Sequence, residues 1–153
     1  DGKLEQFGSP VDIYTRPKSL FITKFFGDFN SFDGHVENGK IKTILGEFNH
    51  EIIDSQKKYS LIIRSEGLKL LNLNDKNTYE LFEIDKKNVI KCPNIGKVVE
   101  SKFLGSSTIV HLNLTDKKEN HHLHVKIPGI NYFEANQMVN IFTDLNYSYI
   151  FNK

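Results

Sequence analysis

A ladder of short alternating segments between about residues 59 and 127 constrains this chain more than any other feature. In the last of these segments Leu123, Val125 and Ile127 alternate with polar side chains. A period of two puts one row of side chains on a buried face and the other row in solvent. The pattern predicts an antiparallel β-sheet with one wet face.

The segment that follows the ladder has the spacing of an amphipathic helix. Pro128 and Gly129 end the last strand, and Asn131 stands in an N-cap position with Glu134 three residues later. The apolar residues at helical spacing are Ala135, Met138, Val139, Phe142 and Leu145. The sequence therefore predicts a mainly β domain with one C-terminal α-helix, from Asn131 to Asn146.

The length of 153 residues fits one domain with an arm. Residues 1–39 are predicted to be an N-terminal arm that is partly ordered and packed on the domain, with a loop over 29–39. Residues 40–153 are predicted to be the β domain. Its predicted strands run over about 40–48, 59–65, 68–74, 78–84, 89–92, 97–104, 108–114 and 122–127.

Composition and charge exclude several classes of function. The net charge is +1, so only a local basic patch could attract a polyanion. The sequence lacks the basic stripe with interleaved aromatic residues that is typical of nucleic-acid binding. The single Cys92 excludes an intramolecular disulfide and fits a reducing compartment. No apolar run reaches the length of a membrane span, and no signal peptide is present. Because the chain starts at Asp1, we expect any N-terminal acyl anchor to lie outside it.

No catalytic motif occurs in the sequence. Gly-x-Ser-x-Gly, a Walker-type Gly-rich loop and a dinucleotide fingerprint are all missing, and the carboxylates are scattered. We therefore predict a protein that is not an enzyme and needs no cofactor.

Four histidines near the end of the ladder suggest a metal site as one alternative. His122 and His124 share a strand face, His111 lies on the neighbouring strand and His121 is adjacent, and imidazole suits zinc. Neither Cys nor a carboxylate stands at ligand spacing, so the sequence assigns no metal. A pH-sensitive surface is the other alternative.

The segment Tyr59–Leu73, a strand, a Glu66-Gly67 turn and a second strand, resembles phosphotyrosine-binding and pleckstrin homology-like domains. With the later strands and the predicted helix, residues 40–147 are similar to the pleckstrin homology superfold, a seven-stranded barrel or sandwich capped by a helix. Combined with the Asn, Lys, Ile and Phe bias, this pattern is similar to the acylated pleckstrin homology proteins of apicomplexan parasites. The inner-membrane-complex sub-compartment proteins are the second group it resembles.

This resemblance implies recruitment to a membrane by anionic phospholipid, a role in regulated secretion, and a peripheral cytoplasmic location on a secretory organelle or the inner membrane complex. The inositide signature is incomplete, so phosphatidic acid is favoured over phosphoinositides. The predicted lipid-binding residues are Lys40, Lys42, Lys57, Lys58 and Arg64, with Ile52 and Ile53 inserting into the membrane. The alternative is a protein-interaction scaffold that binds no lipid and takes a partner segment beside a sheet edge.

Overall fold

The structure is a computed structural model that describes residues 2–51, 53–73, 85–115 and 120–153. These residues form two five-stranded antiparallel sheets. In spatial order, the first sheet consists of β10 (Ser148–Asn152), β4 (Tyr59–Arg64), β1 (Phe29–Glu37), β2 (Lys40–Thr43) and β3 (Gly46–Phe48). The second sheet consists of β5 (Leu68–Asn72), β9 (Met138–Asp144), β6 (Val89–Phe103), β7 (Ser107–Thr115) and β8 (Asn120–Pro128).

Two short helices of six residues each precede the sheets: α1 (Pro10–Thr15) and α2 (Leu20–Phe25). Each begins after a serine that caps it: Ser9 accepts a hydrogen bond from the N–H of Asp12, and Ser19 accepts one from the N–H of Ile22. A serine oxygen at this position satisfies a backbone donor that has no partner within the helix. Local capping chemistry therefore explains where both helices start.

Two chain segments pass from one sheet to the other at a shared corner. β4 continues through the 3-10 turn Ser65–Gly67 into β5, and β9 continues through the 3-10 turn Leu145–Tyr147 into β10. These turns pack against each other so closely that a Cβ on Gly67 would lie 2.5 Å from the Cβ of Tyr147. Glycine at position 67 therefore permits the crossing that joins the sheets.

The main core lies between the two sheets, and both sheets contribute to it. Leu61 and Ile63 of β4 meet Leu112 of β7, Val125 of β8 and Ile141 of β9 in one cluster of buried apolar side chains. Inward residues of β8 are buried and its outward residues are exposed, as the alternation predicts. The mainly β prediction is thus confirmed.

The predicted C-terminal helix is wrong, and with it the seven-stranded barrel capped by a helix. The segment Met138–Asp144 is β9, which pairs with β5 on one side and β6 on the other. Val139, Ile141 and Phe142 are fully buried. Five of the seven residues of β9 are buried, on both faces of the sheet, so the strand lacks a clear alternation and its apolar residues also fall at helical spacing. The β-branched residues of the segment favour the strand.

The loop predicted over residues 29–39 is also wrong, because most of it is β1, the middle strand of the first sheet. Asn30, Phe32 and Gly34 are its inward residues, and their mixed chemistry hides the alternation. Asn38 and Gly39 both have positive φ, of 52° and 72°, and turn the chain into β2. Asn-Gly is the preferred pair for such a hairpin turn.

The predicted strand over 78–84 lies outside the described residues, and so does Ile52. Within the described part of the chain, neither helix approaches the length and apolarity needed to cross a membrane.

Replacing a central β9 side chain tests this architecture. We expect Ile141→Ala to lower the free energy of unfolding by about 2–5 kcal/mol, because it leaves a cavity between the sheets. Urea denaturation measures the change. Ile130→Ala is the matched control, since the Ile130 side chain is 61% exposed and should lose less than about 0.5 kcal/mol. Equal losses in the two variants would contradict the placement of β9.

Candidate functional site

The four lysines predicted to bind lipid lie in one region of the first sheet. β1 separates β2, which carries Lys40 and Lys42, from β4, which Lys57 and Lys58 immediately precede. Two strand spacings amount to about 10 Å. The structure therefore brings these lysines near one another at one end of the sheet.

Carboxylates accompany three of these lysines. The ion pairs are Lys40–Glu47 at 3.4 Å, Lys42–Glu37 at 2.8 Å and Lys57–Asp54 at 3.8 Å. The hydrogen bond and charge of Glu37 raise the pKa of Lys42, and Lys42 in turn lowers the pKa of Glu37. Each pair is well exposed, so it stabilises the fold little. Its effect is to reduce the local positive charge.

Arg64, the fifth predicted lipid ligand, is fully buried and faces the arm. Its Nη1 donates hydrogen bonds to the carbonyl oxygen of Thr23, at 2.7 Å, and to that of Phe26, and its Nη2 donates to the carbonyl oxygen of Tyr14, at 3.4 Å. The Tyr14 ring lies 4.2 Å from the guanidinium carbon. Arg64 is therefore a structural clamp on the arm and does not reach the surface.

The three carbonyls bound by Arg64 belong to the ends of α1 and α2, where helical carbonyls lack partners within the helix. A cation is favourable at the negative end of a helix dipole. The Tyr14 hydroxyl also donates to Glu66, and burial and Glu66 raise its pKa. Sequence reasoning missed this clamp because nothing in the pattern distinguishes a buried strand arginine from an exposed one.

The clamped arm presents large apolar side chains to solvent. Phe7 is 90% exposed, Phe25 is 70% exposed and Phe21 is 63% exposed, and α1 contributes no buried residue. The rings of Phe21 and Phe25 are 6.1 Å apart between centroids. Large exposed apolar patches are typical of surfaces that contact another molecule. We call Leu4, Phe7, Val11, Phe21 and Phe25 the arm residues.

Three histidines converge on the outer face of the second sheet. His111 of β7 is paired directly with His124 of β8, and Asn113 is paired with His122. The ligand atoms of the three imidazoles lie within 4.8 Å of one another. His111 is half-buried, and desolvation together with the neighbouring His124 and His122 lowers its pKa, against an opposing effect of Glu100. The sequence assigned no metal here, yet the fold places three potential ligands together.

Another candidate surface is the groove between β5 and β8, the two edge strands of the second sheet. It is lined by residues 68–71 of β5, by Lys126, Ile127 and Pro128, and by Phe133 from the following loop. The alternative prediction of a protein-interaction scaffold placed a groove between a closing helix and a sheet edge. In the structure, the loop that contains Phe133 lines this groove in place of the predicted helix.

Cys92 faces the core and makes no site of its own. It is buried, and burial raises the pKa of its thiol to about 11. A thiol of this kind is a poor nucleophile, because the thiolate is the reactive form.

No family model matches the chain. The chain is 43% identical over 51 residues to the sulfate/thiosulfate import ATP-binding protein CysA of Mannheimia succiniciproducens, a match that covers 33% of this chain and 14% of that protein. It is one of 107 curated proteins with significant similarity, so the likeness does not rest on a single pair of sequences. The chain thus matches only a small part of a much longer protein.

Removing the guanidinium of Arg64 tests the clamp. In Arg64→Met the carbonyl oxygens of α1 and α2 lose their donors, and each buried group left unpaired costs about 1–3 kcal/mol. We expect amide hydrogen exchange in α2 to accelerate at least about tenfold. Arg16→Met is the control, since Arg16 is exposed. Equal exchange in the two variants would show that Arg64 does not hold the arm.

The Cys92 thiol reports on folding through its pKa. A pKa raised to about 11 leaves little thiolate at pH 8, whereas in the unfolded chain the pKa returns to its ordinary value of about 8.5. We expect iodoacetamide to alkylate the urea-unfolded chain at least about a hundredfold faster than the folded chain at pH 8. Mass spectrometry follows the reaction. Rapid alkylation of the folded chain would contradict the buried position.

Proposed function

We propose that this chain is a non-catalytic β domain of an ATP-binding subunit of an import system, and that it contributes a contact surface instead of ATP hydrolysis. The observation that carries the proposal is the 43% identity over 51 residues to an import ATP-binding protein. Because the match covers 14% of that protein, which is therefore about 360 residues long, the ATPase activity of the whole cannot be transferred to this chain by the match alone.

The sequence between Gly34 and Lys40 supports a role outside the nucleotide site. Its spacing is Gly-x-x-x-x-Gly-Lys, as in a phosphate-binding loop, but Ile41 stands where that loop has Ser or Thr to bind Mg²⁺. These residues form the β1–β2 hairpin, in which Ile41 is buried and Lys40 pairs with Glu47. A hairpin in this pairing does not offer the row of free N–H groups that cradles phosphates.

The exposed arm residues support a contact with another part of a longer protein. Phe21 and Phe25 belong to a segment that Arg64 fixes on the β-sheets, so their exposure does not result from disorder of a chain terminus. Burying two phenylalanine side chains in a contact is worth about 1.5–3 kcal/mol each. We propose that the ATP-binding part of the same subunit covers this face. This agrees with the protein-interaction alternative drawn from the sequence, without its pleckstrin homology fold.

Recruitment to anionic lipid stays a second proposal, supported by the position of Lys40, Lys42, Lys57 and Lys58 in one region of the first sheet. The ion pairs of three of them and the burial of Arg64 weaken it. Phosphatidic acid specificity, acylation and a secretory or inner-membrane location likewise stay predictions. Sedimentation with phosphatidic acid vesicles and with neutral vesicles separates the two proposals. Binding that is lost in Lys57→Glu/Lys58→Glu would favour lipid recruitment.

The nucleotide prediction follows from the hairpin. We expect the isolated chain to show no saturable binding of a fluorescent ATP analogue, and Lys40→Ala to behave like the unchanged chain. An intact ATP-binding protein serves as the positive control. Saturable binding that Lys40→Ala abolishes would contradict the proposal that this chain takes no part in nucleotide binding.

The parent polypeptide provides the decisive test. Antibodies against this chain should detect, in denatured extracts of the cells that express it, a polypeptide whose chymotryptic peptides include a complete Gly-x-x-x-x-Gly-Lys-Ser/Thr loop. In that polypeptide, Phe21→Ser/Phe25→Ser should lower the temperature of thermal unfolding, yet leave the isolated chain unchanged because both rings are exposed there. Tyr132→Ser, at a side chain 90% exposed, is the control. A polypeptide without any such loop would overturn the proposal.

A further inference from the structure

The pairing of β7 with β8 fixes three imidazoles on one outward face. His111 and His124 are direct cross-strand partners, and His122 is two residues from His124 on the same face of β8. Ring centroids are separated by 4.5 Å for His111 and His124, by 5.0 Å for His122 and His124, and by 5.3 Å for His111 and His122. The inward neighbours Leu112, Leu123 and Val125 are buried, so the sheet holds the backbone beneath the cluster rigid.

The spacing of the ring nitrogens suits coordination of one metal ion. Nδ1 of His111 lies 3.1 Å from Nε2 of His122. In a tetrahedral zinc site with Zn–N distances of about 2.0–2.1 Å, two ligand nitrogens are about 3.3 Å apart. The third imidazole needs only a rotation about its side-chain bonds, because all three ligand atoms already lie within 4.8 Å of one another.

Two asparagines hold the ligands from outside the cluster. Oδ1 of Asn113 lies 3.0 Å from Nδ1 of His122, so in the neutral ring the N–H at Nδ1 donates to Asn113 and Nε2 keeps its lone pair for a metal. Asn30 of β1 bonds the backbone of His124 twice, accepting from its N–H at 2.9 Å and donating to its carbonyl at 2.8 Å. Both interactions restrict the histidines before any ion arrives.

We propose that His111, His122 and His124 form a binding site for one divalent first-row transition metal ion, with the remaining coordination positions open to solvent. Three imidazoles select Zn²⁺, Ni²⁺ or Cu²⁺ over Mg²⁺ and Ca²⁺, which prefer oxygen ligands. A bound ion would cross-link β7 and β8 at their outer face. The site is independent of the proposed import function, since it uses neither the arm residues nor the β1–β2 hairpin.

Calorimetric titration of the untagged chain with Zn²⁺ tests the site. We expect one ion per chain, no heat with Mg²⁺ or Ca²⁺, and a rise in the temperature of unfolding on addition of Zn²⁺. Titration with Co²⁺ provides a spectroscopic signature, because the visible absorption bands of a bound ion report nitrogen ligation. Binding at several weak positions, or equal binding of Mg²⁺, would overturn the proposal.

Histidine variants identify the ligands. We expect His122→Ala and His124→Ala to weaken Zn²⁺ affinity by more than about tenfold, or 1.4 kcal/mol. Asn113→Leu should weaken it by about tenfold while keeping all three ligands. His121→Ala is the matched control, since His121 is adjacent on β8 but projects in phase with the buried Leu123.

Two outcomes of the variant series would contradict the assignment. One is an unchanged affinity in His122→Ala, and the other is an equal loss in His121→Ala and His122→Ala. Circular dichroism and thermal unfolding without metal confirm that each variant is folded. Because the three histidines lie on an outward face, we expect their replacement to leave the fold intact.

Discussion

The arrangement of the arm depends on the hydrogen bonds that the buried guanidinium of Arg64 donates to it. A charged side chain leaves water only where other contacts replace its hydration, and here three backbone carbonyls and an aromatic ring replace most of it, while Nε makes no hydrogen bond. Those carbonyls are the ones that two short helices leave unpaired. Helices of six residues are marginal by themselves, so their persistence in a fixed place follows from this contact and from the buried Ile22 and Thr23.

Beyond the clamp, the two sheets share one core and their crossing strands meet at a single corner. Three kinds of titratable group occupy different settings around them. Tyr14 is bonded to Glu66, Cys92 is enclosed, and the histidines stand on an open sheet face. Binding by the arm residues and binding by the imidazole cluster would therefore use different side chains, the former ahead of β1 and the latter on β7 and β8.

The sequence predicted strands well where one face is dry and the other wet, as in β7 and β8. It failed at β9, because a strand buried on both faces lacks alternation and imitates a helix. It failed at β1 because Asn30 and Gly34 occupy inward positions for reasons of pairing and close approach, which only the neighbouring strands reveal. Four of the five predicted lipid-binding residues lie in one region of the first sheet, whereas Arg64 is buried, which its place in an alternating strand pattern did not reveal. The histidine triad was visible, yet its convergence required the register of β7 against β8.

The double hydrogen bond between Asn30 and the backbone of His124 limits how far the second sheet can grow. β8 is an edge strand, and an open edge invites pairing with a strand of another molecule. The Asn30 amide offers the donor and acceptor that such a strand would offer and so occupies the edge at its middle. A polar side chain from the opposite sheet thus occupies two of the backbone groups through which a strand of another molecule could pair with β8.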